Sequence, residues 1–161
     1  MREKTKYLKR AAKLALKSGC LRAKRGAVLV RQGQVLAQGF NRVYPTNDYS
    51  QKHGCLRDKL GLFMGREPEK CRGIHAEAAA IAQAAKKGIA LAGATAYLTA
   101  APCLNCAKLL LAAGIKKVYY LDNYSYRAGI IFLEKMGVPC QRVKLANDDP
   151  KERLRDATHQ E

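Results

Sequence analysis

Two short stretches, His75-Ala-Glu77 and Cys103-Leu-Asn-Cys106, decide how the rest of the chain is organised. They supply one imidazole, one carboxylate and two thiols, and each opens a segment dominated by Ala and Leu, which are strong helix formers. Two helices that start side by side on a sheet would bring these donors together. The partial positive charge of a helix N-terminus also favours a thiolate over a thiol.

These side chains predict a catalytic zinc site. Zinc takes nitrogen and sulfur ligands in a tetrahedron, and a catalytic zinc keeps its fourth position for water. His75, Cys103 and Cys106 would be the three protein ligands. Glu77 is too close in sequence to His75 for comfortable shared ligation, so we expect it to move protons beside the metal. A thioredoxin-like cysteine pair is the alternative, but it leaves His75-Ala-Glu77 unexplained.

Length and composition indicate one globular domain. The chain has 161 residues, of which 48% are hydrophobic. We assign residues 1–145 to the domain and 146–161 to a polar tail. No apolar run approaches the roughly 20 residues of a membrane helix, and the N-terminus lacks a secretory signal. We therefore expect a cytoplasmic protein without a membrane partner, in which six cysteines suit metal binding better than disulfides.

The charge balance is unusual. Thirty Lys and Arg stand against 13 Asp and Glu, which gives a net charge of +17. Such a balance favours polyanions or phosphorylated ligands as partners. A basic solvated surface is the simpler interpretation of most of these charges, and charge alone does not separate a nucleotide from a nucleic acid.

The first half of the chain predicts a helix and a hairpin. Residues 3–18 have apolar positions at helical spacing among Lys and Arg, and Gly19 is suited to end the helix. Residues 26–31 and 34–40 read as strands joined by a tight turn. Residues 42–72 show no strong periodicity, so we predict a long loop, which in a compact domain is usually functional or cross-linked.

The second half alternates between helix and strand. We predict strands over 94–99, 117–121 and 138–145, with a helix over 126–135 in addition to the two helices that follow the metal ligands. This alternation predicts an α/β fold with helices on both faces of one mixed sheet. The sheet is expected to be antiparallel at the hairpin and parallel elsewhere.

The long loop suggests a second zinc site. It contains Cys55 and Cys71, and Cys20 stands just before the first strand. A closed, structural zinc needs four protein ligands, and His53 is the candidate fourth. The alternative is that these cysteines are buried, inert thiols.

The chain resembles the cytidine deaminase superfamily, and within it the deoxycytidylate (dCMP) deaminase family, up to about residue 143. The arrangement His-x-Glu with Pro-Cys-x-x-Cys is a known signature of zinc nucleobase deaminases. The other matching stretches are Gly26-Ala-Val-Leu-Val, Gly39-Phe-Asn41, Gly54-Cys-Leu-Arg57 and Cys71-Arg-Gly-Ile. The resemblance implies a three-layer αβα fold, a five-stranded sheet of order 2-1-3-4-5 and a homo-oligomer.

The resemblance also implies a reaction and a substrate. It is the zinc-dependent hydrolysis of dCMP to dUMP, in which hydroxide attacks C4 of cytosine and Glu77 transfers protons. Asn41 would bind the sugar, and the backbone of Ala76 and of Thr99 to Ala101 would contact the base edge. Tyr124 would border the nucleotide, unless it is an ordinary half-buried aromatic.

Other functions stay open from the sequence. Arg42 is a candidate for the phosphate, although many cations could serve. A base within tRNA or DNA, or a free nucleoside, could be the substrate instead, but the compact length and the insertion before His75 favour a mononucleotide over nucleic acid. A zinc-stabilised nucleic-acid-binding module without catalysis would have no use for Glu77.

Overall fold

A computed structural model describes residues 2–63, 67–123 and 127–145. The predicted tail, 146–161, lies outside these ranges. The helices are α1 (Arg2–Ala15), α2 (Tyr49–His53), α3 (Leu56–Lys59), α4 (Ala76–Lys86), α5 (Leu104–Ala112) and α6 (Ala128–Lys135), with a 3₁₀ turn at Pro68–Lys70. The strands are β1 (Gly26–Arg31), β2 (Gln34–Phe40), β3 (Arg42–Val43), β4 (Gly73–Ile74), β5 (Thr95–Ala100), β6 (Lys117–Asp122) and β7 (Cys140–Arg142).

The main sheet has five strands in the order β2-β1-β5-β6-β7, which confirms the predicted 2-1-3-4-5 order when only its own strands are counted. The hairpin turn is also as predicted, since Gln32 and Gly33 both have positive φ, at 50° and 76°, as a type I′ turn requires.

One prediction about the sheet was wrong. β1 pairs with β5 in the antiparallel sense, with Ala27 opposite Leu98, so antiparallel pairing extends beyond the hairpin. The parallel pairs are β5 with β6 and β6 with β7. The reason is the crossover: the chain leaves β2, passes through α4 and returns in the same direction as β5, so β1 lies between two strands that both oppose it.

Helices cover both faces of the sheet, which confirms the three-layer expectation. On one face α1 packs Tyr7, Leu8 and Ala11 against strand residues such as Val28. On the other face α4, α5 and α6 enclose a larger cluster of small and aliphatic side chains from the sheet and the helices. None of the helices in the described ranges is long and apolar enough to span a membrane.

The segment predicted as a long loop has more structure than expected. It contains α2, α3 and one strand of a two-stranded antiparallel ribbon, in which Arg42 of β3 is opposite Ile74 of β4. These elements have two to five residues, too short to show a hydrophobic period in the sequence. The ribbon links the end of β2 to the residue just before His75, so it positions the start of α4.

Candidate active site

Three predicted metal ligands form one compact cluster. His75 Nδ1 lies 3.5 Å from Cys103 Sγ and 3.4 Å from Cys106 Sγ. Tetrahedral zinc with bonds of about 2.3 Å to sulfur and about 2.0–2.1 Å to nitrogen places these atoms about 3.5 Å apart. The cluster therefore fits a zinc ion held through Nδ1. Within the described residues, it is the only group of three or more His, Cys, Asp or Glu with donor atoms within 4.8 Å of one another.

Two helix starts hold these ligands. His75 and Cys103 are the N-caps of α4 and α5, and both have extended backbone, with ψ of 154° and 167°. The Cys106 N–H donates to Cys103 Sγ at 3.5 Å, so the Cys103 side chain caps the first turn of α5. This confirms the predicted placement at two neighbouring helix starts.

Close backbone contacts at two glycines fix these helix starts. A Cβ at Gly39 of β2 would lie 2.5 Å from the carbonyl oxygen of Ala76, in the first turn of α4. A Cβ at Gly129 of α6 would lie 2.1 Å from the carbonyl oxygen of Pro102, just before Cys103. Real side chains do not approach so closely, so only glycine lets the two elements pack here.

The thiols and the carboxyl have strongly perturbed acidity. The side-chain hydrogen bond from Cys106 lowers the pKa of Cys103 to about 4, and the same contact raises the pKa of Cys106. A divalent cation bound by both sulfurs would supply the charge that makes both of them thiolates. Burial raises the pKa of Glu77, whose residue is only 8% exposed.

Glu77 and the metal cluster lie in one cavity, together with most of the predicted substrate contacts. His75, Glu77 and Cys103 line this cavity. So do the residues that the resemblance assigned to the sugar and the base: Asn41, Ala76, Thr99 and Ala101. The ends of β2 and β5 meet here, at the same edge of the sheet.

The polar groups of these residues are partly used within the protein. Asn41 Oδ1 accepts from the Arg25 N–H at 2.6 Å, and Asn41 Nδ2 donates to the Ala23 carbonyl at 2.7 Å. An amide can form four hydrogen bonds, so capacity is left for a sugar hydroxyl. The Ala101 N–H donates to the Asp122 carbonyl at 2.8 Å.

Five arginines also line the cavity, and carboxylates partner two of them. Arg22 pairs with Asp58 at 2.6 Å, and Arg25 with Asp122 at 3.5 Å. The others in the wall are Arg42, Arg57 and Arg72.

Arg57 is the most buried of these arginines, at 8% exposure, and it donates to the Phe63 carbonyl at 2.6 Å. Its charge opposes the rise in the pKa of His75 that the hydrogen bond to Cys103 produces. Arg57 and Arg72 belong to stretches that carry the family resemblance, but their role was not predicted from the sequence. Each lies within two residues of a cysteine in the segment before His75, and this proximity was the one feature of the sequence that pointed to them.

The four residues predicted for a second zinc do not form a ligand group among the described residues. Cys20, Cys55 and Cys71 line the same cavity as Glu77. His53 is exposed, and its ring lies against Tyr49 with 4.3 Å between the centroids. Tyr124, predicted to border the nucleotide, lies outside the described residues.

Comparison with known proteins gives the family. The profile of the "Cytidine and deoxycytidylate deaminase zinc-binding region" matches residues 1–122. The chain belongs to this family. Family membership and the donor geometry together support one zinc ion at His75, Cys103 and Cys106.

Individual relatives are similar over most of the chain. ComE operon protein 2 of Bacillus subtilis is 35% identical over 133 residues, which are 82% of this chain and 66% of the relative. The deoxycytidylate deaminase of phage T4 is 31% identical, over 66% of this chain and 71% of the relative. The chain thus spans about two thirds of the length of these relatives, and 37% of the deoxycytidylate deaminase of Schizosaccharomyces pombe.

A solved structure is also similar. It is the dCMP deaminase of cyanophage S-TIM5 in complex with dCMP and dUMP, with 31% sequence identity and a TM-score of 0.73. The match covers 87% of this chain and 96% of the phage protein.

Proposed function

We propose that this protein is a zinc-dependent deaminase that hydrolyses dCMP to dUMP and ammonia. One observation carries the proposal: a buried carboxylate, Glu77, shares a cavity with a His-Cys-Cys cluster of zinc-like geometry in a chain similar to a dCMP deaminase. A purely structural zinc site needs four protein ligands and no adjacent acid. Three ligands and a carboxylate are what hydrolytic chemistry requires.

In the proposed reaction a C4–O bond forms to water, the C4–N4 bond breaks and ammonia leaves. Glu77 accepts the first proton of water and delivers it to ring N3. It then transfers the proton of the new C4 hydroxyl to the departing amino group, which leaves a C4 carbonyl. Bound zinc would supply a Lewis acid that makes water nucleophilic near neutral pH. Burial of Glu77 keeps bulk water from competing for these protons.

We assign the phosphate of dCMP to Arg42 and Arg72. Both line the cavity at the β3–β4 ribbon, Arg42 within β3 and Arg72 just before β4. Neither forms an ion pair with a carboxylate in the described part of the chain. Their nearest recorded partners are aromatic rings, Tyr44 and Tyr49, at 5.8 and 5.1 Å. Their charge is therefore more available to an anion than that of Arg22, which is paired with a carboxylate.

The test is ammonia release from dCMP, deoxycytidine, CMP and a tRNA under the same conditions. We expect dCMP to be preferred, and preference for deoxycytidine or the tRNA would overturn the proposal. Arg42→Gln and Arg72→Gln should raise KM for dCMP about tenfold or more with little change in kcat, as expected for lost charged hydrogen bonds. Arg10→Gln, on exposed helix α1, is the matched control and should leave KM unchanged.

The second, structural zinc is part of the proposal. Cys20, Cys55 and Cys71 line one cavity, which supports a shared ion. Zinc content decides this point. Two ions per chain, reduced to one in Cys55→Ser, would support the site, whereas one ion in both proteins would remove it.

We also propose that the protein is a homo-oligomer that associates through the outer face of α4 and α5. This face exposes Ala82, Ala85, Leu104 and Leu109, and the two leucines are 39% and 44% exposed. Exposed apolar side chains close to one another are typical of contacts between subunits. Leu109→Glu should shift the mass measured by light scattering to that of the monomer, and an unchanged mass would reject this face.

A further inference from the structure

The exposed face of helix α1 concentrates positive charge. The exposed cations of α1 and of the turn after it form what we call the stripe: Lys6, Lys9, Arg10, Lys13 and Lys17. Positions 6, 10, 13 and 17 recur at intervals of four, three and four residues, so the stripe is about 16 Å long. Steps of about 4.5–6 Å along a helix are similar to the spacing of neighbouring phosphates on a nucleic acid strand.

The protein itself does little to neutralise this stripe. Glu3 is the one acidic residue of α1. Lys6, Lys9 and Lys17 form no ion pair with a carboxylate of residues 2–63, 67–123 and 127–145. By contrast, carboxylates accompany Arg22 and Arg25 in the cavity wall. Lys6, Lys9 and Lys17 therefore keep their attraction for an external polyanion.

The stripe is also held rigidly. Tyr7, Leu8 and Ala11 on the inner face of α1 are 2%, 0% and 0% exposed, and the Tyr7 hydroxyl donates to the Gly33 carbonyl at 2.6 Å. Because this apolar face is buried against the sheet, it is not available for insertion into a bilayer. A membrane-surface helix needs such a face, so the structure favours a nucleic acid over a lipid surface.

The end of the stripe is joined to the cavity wall. Asn47 Nδ2 donates to the Lys17 carbonyl at 2.7 Å, and the Ser18 hydroxyl donates to the Asn41 carbonyl at 2.6 Å. Arg22 and Arg25 of the following loop line the cavity. These hydrogen bonds fix the C-terminal end of the stripe next to the loop that lines the cavity.

We propose that this face of α1 binds the phosphate backbone of a polynucleotide, as a binding function separate from dCMP turnover. Lysines that neutralise phosphates release the counterions of the nucleic acid, so binding should weaken steeply with salt. The contacts are to the backbone and give no base selectivity. The site is independent of the catalytic zinc, so it can be tested whether or not dCMP is the substrate.

The test is fluorescence anisotropy with a labelled DNA single strand of about 20 nucleotides over a salt series. The variant is Lys6→Gln with Lys9→Gln and Lys17→Gln. The matched control is Lys86→Gln with Lys87→Gln and Lys108→Gln, which removes the same charge from exposed positions of the opposite layer. The α1 variant should bind about tenfold more weakly and lower the slope of log K against log salt by about 2.

The control should bind within about twofold of the natural protein. Zinc content and the midpoint of urea unfolding should be the same in all three proteins, which shows that the fold is intact. Equal losses of DNA affinity in both variants would mean that only net charge matters, which would overturn the proposal. An unchanged slope in the α1 variant would do the same. Displacement of the DNA by phosphatidylserine vesicles at equal phosphate concentration would identify a lipid surface as the partner instead.

Discussion

The two helical layers on the central sheet differ sharply in surface chemistry. Among the described helices, α1 covers one face and exposes a row of cations, whereas α4 has Glu77 in its first turn, Lys86 in its last, and alanine at its other exposed positions. The reactive groups all belong to the layer opposite α1, at the starts of α4 and α5. The row of exposed cations and the reactive groups thus belong to separate helices on opposite faces of the sheet. Substitutions in one layer should therefore leave the function of the other intact.

Removing a metal ligand should have the largest effect. Cys103→Ser is expected to lose one zinc per chain and all measurable deamination, because two remaining protein ligands hold zinc poorly. Cys140→Ser is the matched control, since Cys140 is also half-buried but lies on β7, outside the cavity. Zinc is measured by elemental analysis and turnover by ammonia release. Full zinc content in Cys103→Ser would reject its assignment as a ligand.

Glu77→Gln should have the next largest effect and should separate metal binding from chemistry. The amide keeps the size of the side chain but cannot accept the proton, so kcat should fall about 10²–10⁴-fold. Zinc content and the midpoint of urea unfolding should stay close to those of the natural protein. A variant that retained substantial turnover would show that another group transfers the proton.

Much of the site could be read from the sequence because its signals are local. The donors His75 and Cys103 are fixed by residue type and by the helix-forming segments that follow them, and the structure places both as N-caps. The turn at Gln32 and Gly33 is equally local. Chemistry that depends on a few neighbouring residues leaves a pattern that spacing alone reveals.

What could not be read depends on contacts between distant segments. Nothing in β1 or β5 shows that they run antiparallel, since that follows from the path through α4. Gly129 looks like an ordinary helix residue until Pro102 is found against it. The burial of Arg57 beside the metal cluster depends in the same way on how the 42–72 segment folds back.

A pair of core substitutions compares the two layers directly. Leu8 of α1 and Leu110 of α5 are both 0% exposed, so Leu8→Ala and Leu110→Ala should each lower the free energy of unfolding by about 2–5 kcal/mol. Only Leu110→Ala should also weaken zinc binding, because α5 supports Cys106 one turn earlier. Urea unfolding and competition with a zinc-binding dye measure the two effects. Equal loss of zinc affinity in both variants would contradict the separation of the layers.

The smallest expected effect comes from a single added methyl group beside the metal loop. Gly129→Ala puts a Cβ against the Pro102 carbonyl oxygen, which must move, at a cost of about 1–3 kcal/mol of folding free energy. Because Pro102 precedes Cys103, zinc should dissociate faster from this variant. Gly88→Ala is the control: a Cβ there meets nothing within 4 Å, but φ is +64°, so the protein should lose stability while it keeps its zinc dissociation rate. If both variants release zinc at the natural rate, the contact between α6 and the metal loop stabilises the fold without positioning the ligand.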